Sequence, residues 1–421
     1  MTLPPELLSQ ILCLACTDDG KTARALSLVS RSIHTLSAPF FFQSLAVWGR
    51  ASTIALLARL KELSAHRRRV RHLFLVDCNK AQCLNGGSLP PGMDGGDDGV
   101  EHDTAWFERE CMPFRHLLSL VAPTLLTLSV LTYNPLTSTT ILTHPFSISF
   151  PHLQALTMHG FYPYPHVPSL SLSQSHSHSQ PHSQPHSQTP TKPQTPLPSL
   201  KSLHLSGSRN PHGLLQIGAL SACCPLLSHL RVSGLRSALS FAQELDAALS
   251  FAASSFSTSA SSSSESTSSA RGCQHGVSSG DAEEEMYQDL DLFAPRLPCT
   301  LTLLQIQPGP APPPPPPSLR RSVSQALDTR MMAILHEKCT SASHAFRTNT
   351  ASCTTPSTNN AFRTNAGEVE SARGGYEKGS VSAIEFRLLE RQESEDSLVA
   401  LMREWEERVG VSPLWGCEGS C

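Results

Sequence analysis

The side chains best suited to chemistry are a cysteine pair, a histidine tract, an acidic cluster and a basic run. Cys13 and Cys16 form a Cys-x-x-Cys pair, the spacing at which two thiolates grip one zinc ion or exchange a disulfide. No second pair follows at zinc spacing, and both lie inside an apolar helical stripe, so packing is the expected role. His176, His178, His182 and His186 alternate with Ser, Gln and Pro. Their spacing fixes no tetrahedron, so a polar tract without a metal is expected. Asp94, Asp97, Asp98, Glu101 and Asp103 surround Gly95 and Gly96. The calcium-loop pattern is not met, and a solvated loop is expected. The run His66, Arg67, Arg68, Arg69, Val70, Arg71, His72 has the charge of a nucleic-acid or nuclear-import patch. Without interleaved aromatics it reads as the basic end of a helix. No phosphate-cradling glycine loop, nucleophile elbow or His-Glu-x-x-His occurs. The expectation is a protein that is not an enzyme and holds no cofactor.

The whole chain is consistent with that. Its 421 residues leave room for two or three domains. Hydrophobic residues make up 39 % and charged residues 16 %, with 33 Pro, which suits a packed framework broken by low-complexity insertions. A net charge of −3 gives no drive toward nucleic acid or acidic membranes. No stretch approaches the roughly 18 apolar residues of a membrane span, and no signal peptide is expected. An odd number of cysteines, 13, favours reduced thiols and a cytoplasmic or nuclear location.

A short pattern recurs behind these residues. Val70-x-x-Leu73-x-Leu75 is followed by copies starting at Leu125, Leu153, Leu200 and Leu227, with weaker ones at Leu301 and Val381. Each closing alternation predicts a short strand with one buried face, and Pro123, Pro151, Pro198 and Pro225 favour an extended approach to it. Apolar residues at helical spacing lie between copies. One strand plus one helix in roughly 27 residues resembles a leucine-rich repeat. The Asn or Cys usual after the strand is present only as Cys78, so the repeats are expected to be uneven. Residues 46–170 read as a linker helix and the first repeats, 197–252 as repeats, and 281–338 as a repeat with the polyproline run Pro312 to Pro317. Residues 171–196, 253–280 and 339–378 are expected to be disordered, because they bury too little apolar area to offset ordering entropy. The strand and helix of 379–412, with Leu398, Leu401, Met402, Trp405 and Val409 as a stripe, are expected to cap the last repeat.

The first 45 residues stand apart. Pro4 and Pro5 start a helix well, because their missing N–H groups would lack partners in a first turn anyway, and Glu6 sits at the positive end of the dipole. Leu7, Leu8, Ile11 and Leu12 make one stripe, and Leu26, Leu28, Val29, Ile33 and Leu36 a second. About 40 residues cannot build a large core alone. The order Leu3-Pro4-Pro5-Glu6-Leu7-Leu8, Ile11-Leu12, Leu26-Ser27-Leu28-Val29-Ser30-Arg31 and Phe41-Phe42-Gln43-Ser44-Leu45 resembles the F-box, especially its fungal form. The resemblance implies a short helical F-box followed by an irregular leucine-rich-repeat-like α/β solenoid. It also implies an adaptor that binds the Skp-type subunit of a cullin–RING ubiquitin ligase and presents a protein substrate on the repeats. The contacting residues would be Leu3, Pro4, Pro5, Leu7, Leu8, Ile11, Leu12, Leu28, Val29 and Ile33. The alternative is a repeat protein with no ligase role, whose first helices only cap the repeats.

Overall fold

The computed structural model describes residues 3–17, 20–79, 104–162, 195–216, 219–258, 295–314, 322–351, 384–392 and 398–410. The acidic cluster at 94–103, the histidine tract and Ser259 to Gly280 lie outside them.

Strands with one apolar face bury it by pairing side by side beneath a layer of helices. Here they form one parallel eight-stranded sheet whose spatial order is the sequence order. The strands are β1 (Ser44–Trp48), β2 (His72–Val76), β3 (Thr127–Leu131), β4 (Ala155–His159), β5 (Ser202–Ser206), β6 (His229–Leu235), β7 (Leu303–Pro308) and β8 (Glu385–Leu388). The helices are α1 (Pro5–Ala15), α2 (Lys21–Ser27), α3 (Arg31–Ser37), α4 (Gly49–Glu62), α5 (Thr104–Val121), α6 (Pro135–Ser147), α7 (Ala219–Cys223), α8 (Leu239–Thr258), α9 (Val323–Ala351) and α10 (Leu398–Gly410).

The recurring leucines set the register. Leu73, Leu128, Leu156, Leu203, Leu230 and Leu304 stand beside one another, each at most 1 % exposed. Leu75, Val130, Met158, Leu205, Val232 and Ile306 form a second buried row, and Val70, Leu125, Leu153, Leu200, Leu227 and Leu301 a third. Against this back face pack Phe114, Leu117 and Leu118 of α5, Ile141 and Leu142 of α6, Phe241 and Leu245 of α8, and Met331 and Leu335 of α9. The backbone turning into each strand follows one rule. Two successive N–H groups donate to a single carbonyl of the preceding unit: His72 and Arg71 to Gln43, Thr127 and Leu126 to Arg71, Ala155 and Gln154 to Leu126, Ser202 and Lys201 to Gln154. These bonds account for main-chain groups that the bend would otherwise strand.

Five expectations need correction. The sheet begins inside the N-terminal stretch, because Phe42-x-x-Leu45-x-Val47 is an unrecognised first copy, with Leu45 paired to Leu73. The last copy is displaced by two residues: Phe386, not Ile384, aligns with Leu304. Helix α8 runs to Thr258, beyond residue 252. Helix α9 runs through residues 340–351, which were expected to be disordered. Buried Met331 and Leu335 anchor it, after which each added residue gains a bond without a new nucleation cost. Its hydroxyls are absorbed internally, with Thr340 donating to the His336 carbonyl at 3.1 Å and Ser341 to that of Glu337 at 2.8 Å. Finally, α10 does not cap the last repeat. It packs on Phe74, Val76 and Leu131 of β2 and β3, on the front face of the sheet, away from β8.

Glycines close the strand ends where neighbouring units approach most tightly. Gly207 has φ +86°, and a Cβ there would sit 2.5 Å from the Gly160 nitrogen. Gly207→Ala is therefore expected to cost about 1–3 kcal/mol, read as a lowered urea midpoint; an unchanged midpoint would refute the close approach.

Candidate protein-binding surfaces

The N-terminal helices make a small core of their own. Leu12, Cys16, Ala23 and Phe40 are buried together, with Cys13, Leu26, Leu36 and Phe41 packed around them. Ser30 caps α3, its Oγ accepting from the Ile33 N–H at 3.2 Å. This core leaves one apolar set outside. Leu3 is 55 % exposed, Leu7 46 %, Ile11 50 %, Leu14 58 %, Leu28 88 % and Val29 66 %. Of the expected contact residues, Pro4 and Pro5 are exposed too, while Leu8 and Ile33 are half-buried. Leu12 departs from the expectation: the 3.6-residue period turns it inward, and it belongs to the unit's own core. Leu14, exposed on the same helix, was missed.

The unit is tied to the sheet. Gln43 Nε2 donates to the Cys13 carbonyl at 2.9 Å, and Arg71 Nη1 approaches Cys13 Sγ at 3.2 Å. Cys13 and Cys16 are not disulfide-bonded and have packing roles in this small core. Elsewhere, burial pushes the Cys223 and Cys224 thiols up, so they are inert. The expectation of reduced thiols fails at Cys78, which is disulfide-bonded and so has no S–H to offer a neighbouring turn. In the basic run, Arg68 donates to the Leu63 and Lys61 carbonyls at 2.7 and 3.1 Å, ending α4 as the sequence suggested.

The second surface is the front face of the sheet. Residues between the leucines point there, and one row reads Ala46, Phe74, Ser129, Thr157, His204, Arg231 from β1 to β6. It passes from apolar through hydroxyl to basic. Helix α10 lies on it with matching sides. Trp405 packs on Phe74 with ring centroids 5.5 Å apart, and Trp48 flanks Phe74 at 5.8 Å. Leu398, Leu401 and Val409 complete the apolar contact. On the other side Glu404 meets Arg231 at 3.3 Å, Arg408 at 2.7 Å and His204 at 3.5 Å. Arg408 Nη1 donates to Thr157 Oγ1 at 3.0 Å. Burial alone would raise the Glu404 pKa. The hydrogen bond from His204 and the charges of His204, Arg231 and Arg408 outweigh it and hold the carboxyl at about 2. Sequence reasoning found the α10 stripe but not its seat, since no local pattern links residue 404 to residues 204 and 231.

A small cleft at the carboxyl ends of β1 to β3 is lined by Arg50, Asp77, Cys111, Phe114, Asn134, Thr137 and Ile141. Asp77 accepts from the Tyr133 and Asn134 N–H groups at 3.0 and 3.1 Å, securing the start of α6. Burial raises its pKa, against those hydrogen bonds. Among the described residues no three His, Cys, Asp or Glu side chains gather as a metal site, and no helix is long and apolar enough to cross a membrane. No protein-family model and no curated protein matches the chain, so the two surfaces carry the functional argument.

Proposed function

We propose that the protein is a substrate-recognition adaptor of a cullin–RING ubiquitin ligase. Its N-terminal helices act as an F-box that binds the Skp-type subunit, and its repeats form an irregular solenoid that holds a protein target. One observation carries the reading. A unit that satisfies its own core still presents Leu3, Leu7, Ile11, Leu14, Leu28 and Val29 to water, and an apolar set of that kind on a small module marks a docking site. The mechanism is positional: tethering raises the effective concentration of target lysines near the ubiquitin-loaded enzyme, and this chain performs no bond-making step.

Leu7→Asp with Ile11→Asp is expected to abolish co-purification with the Skp-type subunit while leaving thermal unfolding unchanged, since both side chains are about half exposed. Leu12→Asp, at a buried site, should instead melt the unit. Undiminished binding by the double variant would overturn the proposal. The contacts of Cys13 with Gln43 and Arg71 favour a second reading, in which these helices cap the sheet and no ligase is involved. Deleting residues 1–42, which spares β1, separates the two: a lost cap makes the remainder aggregate, whereas a lost docking module leaves it soluble.

A further inference from the structure

We propose that the front face of the sheet is a seat for an amphipathic helix of a partner protein, and that α10 is an internal competitor for it. This refines the target-binding half of the reading above and is independent of the ligase half.

The seat is graded. Ala46 and Phe74 offer an apolar floor, Ser129 and Thr157 a hydroxyl strip, and His204 and Arg231 a basic flank. The occupant it fits, as α10 shows, is a helix with a large apolar stripe on one side and a carboxylate on the other. Helix α10 meets that requirement with Leu401, Trp405 and Val409 on the floor and Glu404 between His204 and Arg231. It follows β8 in sequence yet lies across the front face from β2 and β3 to β6. Its fit is incomplete. Among the described residues the Trp405 indole N–H is buried without an acceptor, and Arg231 Nε is buried without a partner. Two unmet donors in one contact are a defect that a competing helix can avoid. A ring without an N–H at the Trp405 position, and a second carboxylate reaching Arg231 Nε, would each improve on the resident helix. The partner this face fits is thus an acidic amphipathic helix with a Phe or Leu anchor one residue after an Asp or Glu.

The test uses the full chain and a fluorescent peptide of the sequence 394–412, followed by anisotropy. Leu401→Asp in the chain disables the resident helix and is expected to raise peptide affinity at least tenfold over the wild-type chain. A Trp405→Phe peptide is expected to bind more tightly than the unchanged one. Arg231→Glu, added to the Leu401→Asp chain, should lose at least tenfold, and a Glu404→Arg peptide should recover it. In the wild-type chain, α10 amides should exchange hydrogen faster than those of β3 to β5. The proposal is overturned if the Leu401→Asp chain binds no peptide or loses cooperative unfolding, or if α10 amides exchange only with the sheet. It is also overturned if the chain forms dimers by exchanging this helix. None of these measurements involves the ligase subunit, so their failure would leave the adaptor reading standing.

Discussion

At pH 4 the protein is expected to be several kcal/mol less stable than at pH 7. Two buried histidines are the cause. His72 is 4 % exposed and shares a hydrogen bond with Thr127 Oγ1 at 2.9 Å; His144 is 8 % exposed under α5. Burial, with a smaller effect from the Arg71 charge, lowers the His72 pKa to about 4. Burial, helped by Arg115 and opposed by a hydrogen bond to the Cys111 backbone, lowers that of His144 to about 4. In the unfolded chain both titrate near the ordinary 6.5. Between those values the unfolded chain binds protons that the folded chain refuses, so the stability is complete above pH 6.5 and falls as pH drops toward 4. Each histidine accounts for about 3 kcal/mol, and together they rival the roughly 5–15 kcal/mol of a whole domain. Glu404 acts in a separate window, losing its contribution only as pH falls from about 4.5 toward 2. Asp77, with a raised pKa, has the opposite sign and is eased by acid. Urea midpoints at pH 7 and pH 5 measure the effect. His72→Gln and His144→Gln should each remove about half of the difference, and an unchanged difference in both would refute the assignment.

Replacing Glu244 by Ala should be the most damaging change of a charged residue in the sheet's helical layer. This carboxylate of α8 has a side chain only 3 % exposed. It accepts from the N–H groups of Gly213 at 2.6 Å and Leu215 at 2.5 Å, with His212 Nδ1 at 3.3 Å. It thereby fixes the turn that inserts Leu214 and Leu215 into the back-face core. Removing it leaves two main-chain donors without acceptors, at about 1–3 kcal/mol each, besides the cavity. A total of about 4 kcal/mol is expected, within the range for a broken buried network. Glu244→Gln keeps one carbonyl acceptor and should cost about half as much. Denaturation midpoints of the two variants test this; equal, small losses would mean the turn is held by Leu214 and Leu215 alone.

Much of the sheet was legible because its rule is local. Six residues hold the whole pattern of Leu125-x-x-Leu128-x-Val130, and the same spacing sets the register of β2 to β7. The ends were less so. At Phe42-x-x-Leu45-x-Val47 the motif overlapped a phenylalanine run that belongs partly to the N-terminal core, where Phe40 is buried. At β8 two overlapping alternations, Ile384–Phe386 and Phe386–Leu388, fit equally, and pairing to β7 chose the second. Leu7 and Ile11 stand exposed and Leu12 buried within one stripe, since a stripe read from spacing alone does not say which edge the neighbouring helices cover. The seat of α10 was out of reach: Glu404 lies 173 residues from Arg231 in sequence, and only the folded sheet brings them together.

The paired donation of two N–H groups to one carbonyl has a consequence for how this chain tolerates change in length. The accepting carbonyls belong to Gln43, Arg71, Leu126, Gln154, Lys201 and Ser228, five residue types at six positions. Phase along the sheet is therefore kept by the main chain, whatever side chain stands there. Ala155 and Ser202 pair in register although 46 residues separate them. Doubling a flexible connection costs only about 0.6 kcal/mol, less than one ordinary hydrogen bond of roughly 1 kcal/mol. Stretches between strands can thus lengthen or drift in composition almost without penalty, while the strands they join stay in step.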